Sequence, residues 1–391
     1  MTKVKEILSL NVRLTEGGAA QVMVSIHEQL LKWGISSNLG YGYGPHGGSS
    51  PQESEYSAQR LAGKFRMATN FITHHSVGID LISPSAKEIK RFKEILNRVD
   101  VVHLHAVHSY FWNFEKLLEV ISESDTPVVW TMHDSWLLTG RCAIPGDCKK
   151  WLEGCGKCPS KGTYPPTKID LSKRQWQSKR DAFRRLSETN KIALVSVSDW
   201  LARDLARAGF EDVKVIKNGS DTDFWEASKN LKHASAAGRK GMVFINRDLR
   251  DRSKVSLQTL NCLAEGGVDL TVVGNNPPEG LSKKIKLIPA TSDRCELAQI
   301  MSRHETLLFT SKTDNFPLTI VEALISGMSV RLPQGDVANE FRHFPQVVPF
   351  ADEFELTTTP IPKVVKFNLN FDEFHPEQMA LNYLDLYRSL V

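Results

Sequence analysis

At 391 residues, with 41% hydrophobic and 24% charged residues, the chain is too long for a single hydrophobic core and too apolar for disorder, so two folded domains are expected. A net charge of +4 falls short of the basic balance of a nucleic-acid binder. The longest apolar runs, such as 192-IALVSV-197, stop well before the roughly 18–20 residues of a membrane span, and Met1 leads into a charged strand rather than a signal peptide, which predicts a cytoplasmic protein.

In chain order, 4-VKEILSLNV-12 fills with apolar residues as a buried strand does, a glycine-bearing loop follows, and 19–34 is periodic with Val22, Met23, Ile26, Leu30 and Leu31 on one helical face. Gly34 is a natural helix stop. A strand over 37–44 completes a strand, loop, helix, strand unit, and so implies a parallel sheet. The same alternation continues with strands over 100–106, 127–134 and 191–198 and helices over 113–123 and 199–209. Residues 226–241 are polar, small and basic and read as a linker region. A second series has strands over 242–246, 269–275, 284–290, 305–311 and 329–333, with helices over 255–267, 295–304 and 318–327. The predicted fold class is α/β, with two doubly wound domains in tandem: 1–225, and 226–371 followed by a final helix within 372–391. Ligands in such sheets bind beyond the carboxyl ends of the strands, and a cleft between the two sheets is the expected site. Basic residues gather in 87–98 and 173–185; these are either solvated helix faces or contacts for anionic lipid head groups.

Several loops carry chemistry. Asp314 and Glu322 flank a helix start in 311-SKTDNFPLTIVEALISGMSV-330. Carboxylates there could accept hydrogen bonds from sugar hydroxyls, or Asp314 could merely cap the helix while Glu322 points outward. His133 ends a strand, a placement that suits a structural histidine as well as a functional one, and the adjoining Asp134 could fix its tautomer. His103, His105 and His108 form an H-x-H-x-x-H pattern that suits a metal site or structural or acceptor-side roles. Cys142, Cys148, Cys155 and Cys158 fall in one short, glycine-bearing loop. That pattern suits a structural zinc, reduced thiols or disulfides, the last disfavoured in a cytoplasmic protein.

The segment 314-DNFPLTIVEA-323 resembles the paired-carboxylate motif of retaining glycosyltransferases of the GT-B fold, family 4, with Asp314 where a glutamate usually stands. The loop 16-EGGAA-20, the histidine motif 131-TMHD-134, the turn 217-KNGSD-221 and a final helix over 375–390 agree in order. The stretches 11–20, 41–44, 108–113, 131–143, 157–159 and 164–170 are most similar to colanic-acid and exopolysaccharide glycosyltransferases. The resemblance implies two Rossmann-like domains facing each other across a cleft, the first binding the acceptor and the second the donor, with the final helix crossing back to the first. It implies a retaining transfer, independent of metal, from a UDP- or GDP-linked sugar to a polyprenyl-diphosphate-linked glycan at the inner face of the cytoplasmic membrane, with no nucleic-acid partner. Only that implied independence of metal sets aside the metal reading of His103, His105 and His108. A non-catalytic nucleotide-sugar or glycan-binding scaffold is the alternative.

Carried over residue by residue, the resemblance places Glu322 on the ribose hydroxyls and Asp314 on the transferred sugar. Lys254, with Arg250 as partner and Arg247 nearby, would neutralise the departing diphosphate. The backbone around Phe316, Pro317, Leu318 and Thr319 would lie near it, Pro317 itself offering no donor. Gly17 and Gly18 would permit close approach of the first loop, Asn218 would lie in the donor site, and His133 would meet the donor sugar without acting as a nucleophile.

Overall fold

Alternation of buried strands with amphipathic helices builds two parallel sheets, each with its own core. The computed structural model describes residues 4–232, 238–358 and 371–391. The chain divides into one unit of Met1–Lys217 with Met379–Val391 and a second of Asn218–Gln378.

The first unit contains β1 (Glu6–Asn11), α1 (Gly18–Lys32), β2 (Ser36–Tyr41), β3 (Gln59–Arg60), α2 (Lys64–Val77), α3 (Ala86–Leu96), β4 (Val101–Leu104), α4 (Phe114–Ser122), β5 (Val128–Met132), α5 (Ser172–Thr189), β6 (Ile192–Ser196), α6 (Asp199–Arg207) and β7 (Lys214–Val215). Its strand order is β3-β2-β1-β4-β5-β6-β7, with every neighbouring pair parallel. Strands covered on both faces must be apolar on both, and all five residues of β5, VVWTM, are buried. Helix α1 stops where Gly34 takes a left-handed φ of 72°, the conformation that glycine adopts without strain. A Ser85–Glu88 capping box starts α3, satisfying amides that the first turn leaves free.

The second unit contains α7 (Thr222–Lys232), β8 (Met242–Asp248), α8 (Leu257–Glu265), β9 (Leu270–Asn275), β10 (Lys286–Ile288), α9 (Arg294–Ser302), β11 (Thr306–Leu308), α10 (Leu318–Ile325), β12 (Ser329–Pro333), α11 (Asp336–Phe341), β13 (Val347–Phe350) and α12 (Glu353–Thr358). Its strand order is β10-β9-β8-β11-β12-β13, again parallel. Helix α7 occupies ground that the polar composition suggested was linker. Asp221 caps it by accepting from the Phe224 N–H at 2.8 Å, and the fully buried Phe224 anchors it. Residues 233–237 of the expected linker lie outside the described residues.

The final helix, α13 (Pro376–Leu390), belongs to the first unit from Met379 onward. Its Met379, Tyr383, Leu384 and Tyr387 pack with Ile7, Val22, Ile26, Val101, Val129 and Val195. At about 1.5–3 kcal/mol for each large apolar side chain withdrawn from water, this seam fastens the chain end firmly to that sheet.

Candidate active site

In doubly wound sheets the ligand crevice forms where strand order reverses, beyond the carboxyl ends of the two diverging strands. In the second unit that point lies between β8 and β11. The loop after β8 carries Arg250 and Lys254, and the loop after β11 carries Asp314. The two loops are stitched together: Thr310 Oγ1 donates to the Lys254 carbonyl at 2.6 Å, and the Ser256 N–H donates to Thr310 Oγ1 at 3.2 Å. Lys254 Nζ donates to Asp314 Oδ2 at 3.1 Å. The Asp314 carboxylate raises the Lys254 pKa above its ordinary value, against the opposing effect of burial, so the ammonium stays charged at neutral pH. Arg250 is held by Asp248 through Nε and an Nη at 3.1 and 3.0 Å. Arg247 is exposed at the end of β8.

Helix α10 begins with Pro317 as its N-cap. Phe316 is buried against Phe341, with ring centroids 5.0 Å apart. The N–H groups of Leu318 and Thr319 sit in the first turn, where a helix supplies no acceptor and its dipole favours an anion. Glu322 follows on the same helix but does not point to solvent. It is buried, and it accepts from Arg294, whose Nε also donates to Asp221 Oδ2 at 2.6 Å. Burial pushes the Glu322 pKa up while Arg294 pulls it down, and the net direction is upward. Arg294 lies 5.1 Å over the Phe224 ring. Asn218 is buried, and among the described residues its Oδ1 has no hydrogen-bond partner. Neither Arg294 nor the role of Asp221 was visible in the sequence, because the triad joins positions 28 and 73 residues apart.

In the first unit the reversal lies between β1 and β4. Gly17 and Gly18 are exposed at the start of α1, and Gly17 has a φ of 96°. Because β4 and β5 are paired in register, the residues just beyond them meet. His105 Nδ1 lies 2.9 Å from His133 Nε2, with the rings stacked. Burial pushes the His133 pKa down to about 4 and that of His105 well below the usual imidazole range, so both are neutral at physiological pH. The partner given to Asp134 is His108, at 2.7 Å, together with the Trp136 N–H at 2.8 Å. His133 faces His105, and the neighbouring Asp134 charge opposes the effect of burial on its imidazole. His103 is a structural residue, hydrogen-bonded to Thr131 at 2.8 Å and to the Tyr387 hydroxyl at 2.7 Å.

The four loop cysteines lie between β5 and α5 and all line one small cavity. Among the described residues no three His, Cys, Asp or Glu side chains are arranged to hold a metal ion. Lys179 of α5 pins the base of this loop by donating to the Trp136 carbonyl, with its Nζ 3.8 Å over the indole ring. Burial pushes its ammonium down to about 7.

Residues 16–224 match the profile of Glycosyltransferase Family 4. The chain belongs to glycosyltransferase family 4. It is 27% identical over 406 residues to the putative colanic acid biosynthesis glycosyl transferase WcaC of Escherichia coli K12, covering 98% of this chain and 100% of that one. Among solved structures, HepE of Anabaena in complex with UDP and glucose aligns with a TM-score of 0.63 at 16% identity, over 99% of this chain and 100% of that one. Sucrose-phosphate synthase of Thermosynechococcus elongatus aligns with a TM-score of 0.65 at 15% identity, over 99% of each. These neighbours share the GT-B type of fold, two Rossmann-like sheets in one chain. As a family 4 glycosyltransferase, the protein presents two switch-point loop sets of opposite character, one cationic and one built on neutral histidines.

Proposed function

We propose that this family 4 enzyme transfers a sugar from a nucleoside-diphosphate sugar to a hydroxyl of a polyprenyl-diphosphate-linked glycan, with retention of anomeric configuration, in exopolysaccharide assembly of the colanic-acid kind. The observation that carries the reading is the Lys254–Asp314 pair at the switch point of the second sheet, beside the free amides that open α10. A charged ammonium and peptide N–H groups together make a site for a diphosphate.

In this reading Lys254, with Arg247 and Arg250 in the same loop, and the amides of Phe316, Leu318 and Thr319 hold the diphosphate. Pro317 fixes the turn, and Asn218 offers its unpartnered amide oxygen to the donor. Glu322, oriented by Arg294, accepts from the ribose hydroxyls. Asp314 accepts from hydroxyls of the transferred sugar, its side chain one methylene shorter than the usual glutamate. Within the first unit, His133, held neutral, serves as a hydrogen-bonding group for sugar hydroxyls, and Gly17 and Gly18 leave the loop before α1 open to close approach. The bond from the anomeric carbon to the β-phosphate oxygen breaks, and a bond to the acceptor oxygen forms on the same face. The acceptor proton passes to the leaving phosphate, so the step needs neither a metal nor a dedicated base. Charge develops on the diphosphate, which is where preorganised cations and amides lower the barrier.

A lipid-linked acceptor asks for a membrane surface. No helix among the described residues is long and apolar enough to cross one. Helix α2 exposes Phe65 at 81% and Ile72 at 63%, seven positions apart on one face, and Ile169, itself 54% exposed, hydrogen-bonds to its last turn. With the basic helices α3 and α5, this supports peripheral attachment at the cytoplasmic side.

The test is incubation with a panel of labelled UDP- and GDP-sugars and a lipid-linked acceptor extract, with the product anomer read by NMR. Transfer with retention is expected; saturable binding without transfer would instead identify a glycan- or nucleotide-sugar-binding scaffold.

A further inference from the structure

Residues 133–171 join β5 to α5 with no strand or α-helix, only one short 3-10 turn over Lys150–Glu153. Connections of that length inside a compact domain need a function or a cross-link. Trp151 and Arg141 are its largest fully buried side chains, with Trp136, Leu137, Leu138 and Ala143 also buried near its start. From Ala143 onward Trp151 is the main apolar anchor, and segments with so little core of their own are commonly stapled by a metal or by disulfides.

We propose that Cys142, Cys148, Cys155 and Cys158 bind one structural zinc ion as a tetrahedral four-thiolate site. Four of the six cysteines of the chain line the same cavity, whereas Cys262 and Cys295 are exposed elsewhere. The cavity has about 20 Å³ of free volume, room for one water-sized body. That suits an ion and excludes an organic ligand. The sulfurs do not converge in the structure, and the cavity gives their side chains space to turn inward to the roughly 2.3 Å of a zinc–sulfur bond.

The backbone is already bent for this purpose. Gly154, Cys155, Gly156 and Lys157 run through φ values of 96°, 58°, 89° and 46°, a left-handed run that turns the chain tightly between Cys155 and Cys158. Two of these residues are not glycine, and each costs about 1 kcal/mol or more unless its surroundings hold it there. Donors are aimed at the sulfurs. The Gly140 N–H lies 3.1 Å from Cys155 Sγ and an Arg141 Nη lies 3.7 Å from Cys158 Sγ. Gly140 is required for its part, since a Cβ there would lie 2.1 Å from the Ser172 carbonyl oxygen. N–H donors to sulfur are what an outer shell supplies to a metal thiolate. The Arg141 guanidinium, fixed by the Ser160 carbonyl at 2.7 Å, offsets the negative charge that four thiolates leave on a divalent ion. Binding displaces the four thiol protons to solvent and changes no oxidation state.

The experiment is metal analysis of the full-length protein purified with reductant and without chelator. One zinc per chain is expected, released by a mercurial thiol reagent and read with a chromogenic chelator on the unmutated protein. Cys142→Ser and Cys158→Ser lose the metal; Cys262→Ser and Cys295→Ser keep it. Cobalt(II) exchanged into the site gives the intense visible bands of tetrahedral thiolate coordination. Protein free of zinc, with all six cysteines reactive as thiols or with loop disulfides in non-reducing mass spectrometry, overturns the proposal. Nucleotide binding by the second unit is unaffected by either result.

Discussion

The two halves of the chain share a strand plan and differ in electrostatics. In both, a parallel sheet reverses its strand order once, at β1/β4 in the first unit and at β8/β11 in the second. Beyond β8 and β11 the loops bear a lysine–aspartate pair, with an Arg294–Asp221–Glu322 triad behind them. Beyond β4 and β5 stand neutral, stacked imidazoles. A common scaffold thus carries charged groups at one switch point and neutral imidazoles at the other, and in the function proposed above the first holds an anion and the second uncharged hydroxyl groups.

Breaking the charged triad has the largest expected effect. Arg294→Met leaves Glu322 and Asp221 without their cation, and stranding a buried carboxylate costs about 3–5 kcal/mol. Chemical denaturation monitored through second-unit tryptophan Trp225 should register the loss, and a change under about 1 kcal/mol would show that the triad does not hold the unit together. Lys254→Ala should lower kcat by about 100- to 1,000-fold, as removing a group that stabilises developing charge does elsewhere. An unchanged kcat would move the diphosphate away from this loop.

Acid should then separate the halves. Imidazoles of His27 and His133 are held down to about 4, and those of His103 and His105 lie well below their usual value, all by burial. The folded first unit prefers them neutral, while the unfolded chain takes up protons near pH 6.5. Their contribution is therefore intact above about pH 6.5 and drains away as pH falls from there toward 4. Among the described residues of the second unit only His304 shows such a downward shift. Peptide-resolved hydrogen exchange at pH 7.5 and pH 5 should show protection lost first in the first unit; equal loss in both would contradict the contrast. The smallest effect is local: Tyr387→Phe removes the hydroxyl from His103 and should cost about 1 kcal/mol, measured as a lower denaturant midpoint with α13 still docked.

Much of this plan was legible in the sequence, and the reasons are local. Runs such as 128-VVWTM-132 announce strands buried on both faces, and Gly34 ends α1 where helix chemistry says it should. Helix α7 was misread because its exposed face is polar, while its hold on the unit rests on Phe224 and an Asp221 cap, features of three-dimensional packing. Helix α2 was passed over: its mean pattern is weakly amphipathic because Phe65 and Ile72 stay outside. Lys254 and Asp314 were both singled out, and the fold brings them into contact. The meeting of His105 with His133, and of Arg294 with Glu322, depends on strand pairing and helix placement that no spacing along the chain encodes.

The central claim is that the second unit alone binds the nucleotide of the donor. It is tested most directly by thermal-shift titration with UDP, GDP and ADP on the unmutated protein, Glu322→Ala and His133→Ala, each compared with its own ligand-free melting curve. One nucleoside diphosphate at 100 times its Kd should add about 2.7 kcal/mol of stability, and that gain should vanish in Glu322→Ala and persist in His133→Ala. A gain undiminished in Glu322→Ala would place the nucleotide elsewhere and contradict the account.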